Sequence, residues 1–180
     1  MAKKSPRNTR GRIVSAAWKL FYEQGYEDTT VEEIIELSGT SKGSFYHYFD
    51  GKDALLSTLS SLFDEKYEEL TGLLTPEMTA MEQLLFLNRE LFHMIEDSIS
   101  LDLLARLYST QLTTNGEKHL LDHNRIYYKL LRKIIAKGQA EGQLSSRSNV
   151  NEMVKLYALC ERALLYDWCL CAGEYALTEY

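Results

Sequence analysis

Proline is the residue that most strongly ends a helix, and this chain of 180 residues uses it only at Pro6 and Pro76. Nearly all other punctuation is glycine, near Gly25, Gly39, Gly51, Gly72, Gly116, Gly138 to Gly142 and Gly173. Between these points apolar residues recur at three and four positions, the spacing of one helix face, and no segment shows the sustained alternation of a half-buried strand. The chain is therefore expected to be all-helical.

The same spacing places the helices. Ile13, Ala16, Ala17, Leu20 and Phe21 form one stripe from about Thr9 to Gln24. Thr30 followed by Glu33 matches a capping box, which starts a helix at Val31 that must stop by Gly39. Ser41 is placed to cap a short third helix reaching Phe49. Asp50 and Asp53 are placed to cap a long fourth helix, whose stripe from Leu55 through Phe63 and Leu70 extends to Gly72 and joins the two halves of the chain. Beyond Pro76 a fifth helix covers Met81 to Ile95 and a sixth Leu103 to Leu112. A seventh follows Gly116 and includes Leu120, Tyr127, Leu131 and Ile135, and the last runs from about Val150 to Ala172. In that last helix the only charged residues after Met153 are Lys155, Glu161, Arg162 and Asp167, so it must be covered from several sides, and a second copy of the chain is the expected cover for one of them. The division that follows is a three-helix domain over residues 1–52 and a larger helical domain over 53–180.

Net charge is -6, but it is unevenly spread. Residues 1–19 hold Lys3, Lys4, Arg7, Arg10, Arg12 and Lys19 with no acidic residue, whereas acidic side chains outnumber basic ones after residue 52. A basic leading segment on an acidic body fits a protein that meets phosphates with one small face. The cysteines, Cys160, Cys169 and Cys171, are odd in number and clustered late, which fits a reducing compartment. Neither a signal-peptide pattern nor a run of roughly 18 apolar residues is present, so a cytoplasmic protein with no membrane partner is expected.

Two short helices joined by a glycine turn and preceded by a packing helix make a helix-turn-helix, whose second helix enters the major groove of double-stranded DNA. Ser41, Lys42, Ser44, Tyr46, His47 and Tyr48 put donors on that second helix, while Phe45 and Phe49 anchor its inner face. Gly43 lets the backbone approach a phosphate or base edge, and Lys52 lies in the first turn of the next helix, where free amides already favour a phosphate. Tyr46, Tyr48, Lys52 and Thr30 are assigned to phosphates, and Lys42, Ser44 and His47 to base edges or nearby backbone.

These residues resemble the TetR family of ligand-responsive repressors. The resemblance rests on Ile13, Ala16, Ala17, Leu20, Phe21, Gly25, Thr29, Thr30, Ser41, Lys42, Gly43, Tyr46, Tyr48, Phe49 and Lys52, in the family's order and spacing across residues 9–56. It implies an N-terminal DNA-binding domain joined to a C-terminal ligand-binding and dimerisation domain. It further implies a homodimer that binds a palindromic operator and releases it when a small-molecule effector enters. Ile35 and Leu37 stand where relatives usually have small residues, and Thr40 where they have an aliphatic one. They keep open an alternative: a dimeric adaptor or small-molecule-binding protein whose helix-turn-helix does not read DNA.

The rings Phe86, Phe92, Tyr108, Tyr127, Tyr128 and Trp168, with His93 or Asp167 as an orienting polar group, are the candidates for an effector pocket, and a hydrophobic or aromatic effector is expected from composition. Stripes of this kind more often form plain core, so two or three of the rings are expected to face a cavity. His119 and His123 have a metal-compatible spacing but no evident third ligand, and no metal or cofactor is expected. Without a phosphate-cradling glycine loop or a nucleophile motif, no enzymatic activity is expected either.

Overall fold

The computed structural model describes residues 6–113 and 118–179, with side chains from Thr9 onward. Lys3, Lys4 and Gly116 lie outside the described residues, as does the side chain of Arg7. Among the described residues there are nine α-helices and two short 3-10 turns, with no strand and no helix long and apolar enough to cross a membrane. They form two compact units divided between Leu59 and Ser60.

The first unit contains α1 (Pro6–Gln24), α2 (Val31–Ser38), α3 (Lys42–Tyr48) and α4 (Lys52–Leu56). Helices of seven or eight residues are marginal alone, so α2 and α3 depend on tertiary burial. Ile13 and Ala17 from α1, Ile34 from α2, Phe45 from α3 and Leu55 from α4 supply it, each wholly removed from solvent. Each large apolar side chain so buried contributes about 1.5–3 kcal/mol. The edge of Trp18 stands against Phe21 with ring centroids 5.6 Å apart.

The single long fourth helix expected from Asp50 to Gly72 is instead two, α4 and α5 (Leu59–Thr71), interrupted at Ser57 and Thr58. The Ser57 hydroxyl donates to the Ala54 carbonyl at 2.7 Å and that of Thr58 to the Leu55 carbonyl at 2.6 Å, a local competition with the helical ladder. The Trp18 indole N–H then donates to the Thr58 oxygen at 2.9 Å and holds the break. Nor does an aspartate cap α4: Gly51 occupies that place without a side-chain bond, and the Asp53 carboxylate accepts the Tyr26 hydroxyl.

The second unit holds α6 (Ala80–Ser98), α7 (Leu101–Thr113), α8 (Ile126–Ala140) and α9 (Val150–Leu170). Capping boxes at Thr79/Glu82 and Asn149/Glu152 start α6 and α9. Phe92, Ile95, Leu104, Leu107, Leu131, Ile135, Val154 and Ala158 form its core. Helices α6 and α8 come so close that a β-carbon on Gly138 would stand 2.5 Å from that of Ala80 and 2.8 Å from Leu144 Cδ1. The expected seventh helix begins later than its periodicity indicates. Leu120 lies in a 3-10 turn (His119–Leu121), and α8 starts only at Ile126. The Asp122 side chain accepts the Asn124 amide at 2.8 Å, an Asx turn that displaces helix there.

Candidate functional site

The helix-turn-helix is assembled from caps. The Thr30 hydroxyl oxygen accepts the Glu33 amide at 3.2 Å, while the Glu33 carboxylate takes the Thr30 amide at 2.7 Å and the Thr30 hydroxyl at 2.8 Å. The amide bond from Thr30 is the first cause holding the Glu33 carboxyl below its ordinary pKa. Helix α2 closes with Gly39 at φ 58°, a left-handed conformation that favours glycine. The Ser41 oxygen then accepts the Ser44 amide at 3.1 Å to start α3.

Beneath α3, Phe45 and Phe49 are buried with centroids 5.9 Å apart, as anchors should be. Lys42, Gly43, Tyr46 and His47 are exposed, and helical spacing sets 42, 43, 46 and 47 on one face. Tyr46 stands edge-on to Phe45, and the Lys42 ammonium lies 5.9 Å over the Tyr46 ring. The Lys42–Glu32 ion pair, at 3.4 Å between highly exposed side chains, is weak and readily exchanged for a phosphate. Ser44 and Tyr48 are half-buried, Tyr48 in edge contact with His47 at 4.8 Å. A β-carbon on Gly43 would meet nothing within 4 Å, so this backbone lies open.

Lys52 is engaged elsewhere. Its ammonium donates to the carbonyls of Tyr26, Glu27 and Thr29 and sits 4.2 Å over the Tyr26 ring. It thereby fastens the loop that presents the first turn of α2. The Thr30 hydroxyl is likewise turned onto Glu33. Ile35 is half-buried and Leu37 exposed, so neither is wedged between α2 and α3. Arg12 and Arg10, noted in sequence only as charge, have defined places. A β-carbon on Gly39 would lie 3.9 Å from an Arg12 guanidinium nitrogen, and the Arg10 guanidinium lies 5.5 Å over the Phe49 ring.

The effector-pocket residues do not gather as a set. Tyr108 and Tyr127 line a cavity of about 40 Å³ among α5 to α9, together with Tyr67, Arg125, Glu161 and Arg162. Phe92 is core, and Trp168 is buried with its indole N–H on the Tyr175 carbonyl at 2.8 Å. Tyr128 is buried, donating to the Leu120 carbonyl and accepting from Arg162. Phe86 lies on a separate open groove with Met78 and Leu85. His93 and Asp167, expected as orienting groups, are exposed, and Asp167 accepts the Tyr175 hydroxyl at 3.0 Å. His119 and His123 are not on one helix, and His123 packs its ring on Tyr128.

The polar centre of the cavity is Glu161. Its carboxylate accepts the Tyr67 hydroxyl at 3.2 Å, the Asn88 amide at 3.2 Å and the Tyr127 hydroxyl. Burial drives its pKa above the ordinary value against these donors, and burial first, then Glu161, raises those of Tyr67, Tyr127 and Tyr157. At the rim Arg125 is bidentate on Asp64, at 3.0 and 3.1 Å, and also donates to the Ser60 carbonyl. The sequence does carry a signal for this cluster, since Glu161 is one of few charged residues in a largely apolar helix.

Residues 13–59 match the family of bacterial regulatory proteins described as the tetR family. Over 62 residues the chain is 36% identical to the HTH-type transcriptional regulator QacR of Staphylococcus aureus, covering 34% of this chain and 33% of that one. With the uncharacterised regulator YvdT of Bacillus subtilis it shares 26% over 148 residues, 80% of this chain and 75% of the other. Several of the curated relatives are spanned over only a third of their length or less. Along nearly the whole chain the fold is similar to that of FadR from Thermus thermophilus, a TetR-family repressor solved in complex with lauroyl-CoA. The TM-score is 0.79 at 25% identity, covering 94% of this chain and 88% of that one. The first unit thus carries a segment that matches the tetR family of bacterial regulatory proteins, and the fold along nearly the whole chain is similar to that of a TetR-family repressor.

Proposed function

We propose that the protein is a homodimeric transcriptional repressor that reads a palindromic operator through α3 and releases it when a small-molecule effector enters the second unit. The observation that carries this reading is the open face of α3. Lys42, Gly43, Tyr46 and His47 point outward from a helix fixed beneath by Phe45 and Phe49 and at its start by Ser41. On it, Lys42, His47 and Ser44 meet base edges or nearby backbone, and Tyr46 and Tyr48 meet phosphates. Thr30 and Lys52 contribute by holding the start of α2, whose free amides donate to a phosphate.

Support for the dimer comes from α9. Leu156, Leu159, Ala163, Tyr166 and Leu170 are all exposed and fall at alternating steps of three and four, the seam one helix offers another. Leu156 and Leu170 are 61% and 66% exposed, too much apolar surface to leave in water along one line. Support for the effector is the cavity around Glu161 with its tyrosine rings. A two-fold dimer fits a two-fold site, with half-sites about 34–36 Å apart or a multiple of one turn.

Selection of duplexes from a random library at two salt concentrations tests the reading. An enriched palindrome whose affinity falls steeply with salt is the expected result. Weak, sequence-blind binding by a folded dimer would move the assignment to a dimeric adaptor that does not read DNA.

A further inference from the structure

Glu161 presents a problem of charge. Its residue is only 7% exposed, and the groups bonded to it are two phenols and a carboxamide, all neutral. Among the described residues no lysine, arginine or histidine reaches it at ion-pair distance. Arg125 is already matched by Asp64, and Arg162 donates to the Tyr128 hydroxyl and acts on Glu161 only as the least of its influences. Around the carboxylate stand Tyr67 on α5, Asn88 on α6, Tyr108 on α7, Tyr127 and Arg125 on α8, and Tyr157 and Arg162 on α9. A buried carboxylate without a cation at ion-pair distance is expensive, and the hydroxyls of Tyr67 and Tyr127 offset only part of that cost.

A carboxylate has about four lone-pair positions, and three donors are present. The remaining acceptor capacity faces a cavity of about 40 Å³, large enough for a compact polar head but not for a drug-sized molecule. Arg125 and Arg162 also line it, the first paired with Asp64 and the second donating to Tyr128, and the remaining walls are apolar, with Phe63, Leu91, Leu120 and Leu165. The head must therefore be cationic and small, and the rest of the molecule hydrocarbon.

Resting on the regulator reading above, we infer that the effector is a primary alkyl- or arylalkyl-amine whose ammonium pairs with Glu161 among the tyrosine rings. Its three N–H groups supply the donor and the charge that the cavity lacks. The ammonium takes the acceptor position left beside Tyr67, Asn88 and Tyr127. Tyr67 is one turn from Asp64 on α5, so polar ties from α5 to Glu161 and to Arg125 meet at this cavity.

The test is calorimetric titration of the full chain with n-butylammonium chloride, n-butanol and sodium butyrate at matched ionic strength. The ammonium is expected to bind, with the alcohol and the carboxylate each weaker by roughly tenfold or more. Glu161→Gln is expected to remove that preference while leaving the helical circular-dichroism signal in place. If that variant fails to fold, the ranking of the three probes on the unaltered chain decides alone. Equal binding of alcohol and ammonium, tighter binding of butyrate, or an ammonium affinity unchanged in folded Glu161→Gln overturns the inference. Absence of ammonium binding in a protein that still selects a palindrome overturns the amine and leaves the repressor standing. Ammonium binding in a protein that selects no DNA upholds the amine site and overturns the repressor.

Discussion

Helix α3 has seven residues and turns its polar groups outward, whereas α9 has twenty-one and turns the carboxylate of Glu161 inward. On α3 the groups that fix the helix lie within a few residues or directly beneath: Ser41 at the start, Gly39 before it, Phe45 below. On α9 Glu161 is held by Tyr67, Asn88 and Tyr127 from three other helices. The difference follows from what each is suited to meet. A polyanion is met by donors left in water, at little desolvation cost, and discrimination then comes from groove geometry. A small molecule is discriminated by taking charge out of water, which costs a great deal unless the ligand restores the balance.

The comparison breaks most readily at the anchor. Phe45→Ala should cost about 3–5 kcal/mol in chemical denaturation, and a loss as small as a surface change would show that α3 is not held from below. Next is Tyr127→Phe, which removes a donor from a buried carboxylate and should cost about 1–3 kcal/mol. Tyr46→Phe on the open face should stay within about 0.5 kcal/mol while weakening operator binding.

A pH series sharpens the contrast. The pKa of Glu161 is raised by burial from an ordinary value of 4.5. The preference of the folded state for its neutral form is thus complete below that value and is lost as pH climbs through the raised one. Glu161→Gln, which stays neutral, should therefore gain on the natural protein as pH rises above about 4.5, levelling off beyond the raised value. A stability difference that is flat with pH would contradict a buried, strained carboxylate. Thr30→Ala should cost about 1 kcal/mol by removing the cap of α2. Least of all in stability, Lys42→Ala should leave unfolding unchanged and flatten the salt dependence of operator affinity by about one unit of slope.

The elements legible in the sequence were those whose causes are local. Thr30 with Glu33, Gly39, and Ser41 before Ser44 are each a cap or stop within four residues, and they bound α2 and α3 closely. What escaped depends on distant partners. The break before α5 is held by Trp18, forty residues earlier, and Lys52 and Asp53 are drawn onto Tyr26 and its loop. Periodicity along one helix reports which face is apolar, but not which polar group from another helix will reach it. In the sequence Glu161 reads only as a charge in a largely apolar helix, because its donors lie 34, 73 and 94 residues away. His93 and Asp167 are better placed by residue type than Glu161 to orient a ligand, yet both face solvent.

Helix α9 carries two working faces. Val154, Ala158, Glu161 and Leu165 point into the second unit, and Leu156, Leu159, Ala163, Tyr166 and Leu170 point away from it, on the other side of the same cylinder. If the outer row is the proposed dimer seam and the inner cavity the proposed effector site, self-association and effector occupancy share one helix, and any coupling between them acts on both by the same factor. The midpoint of an effector titration should accordingly drift with protein concentration, so that a dilute cell and a crowded one would respond to different doses of the same signal.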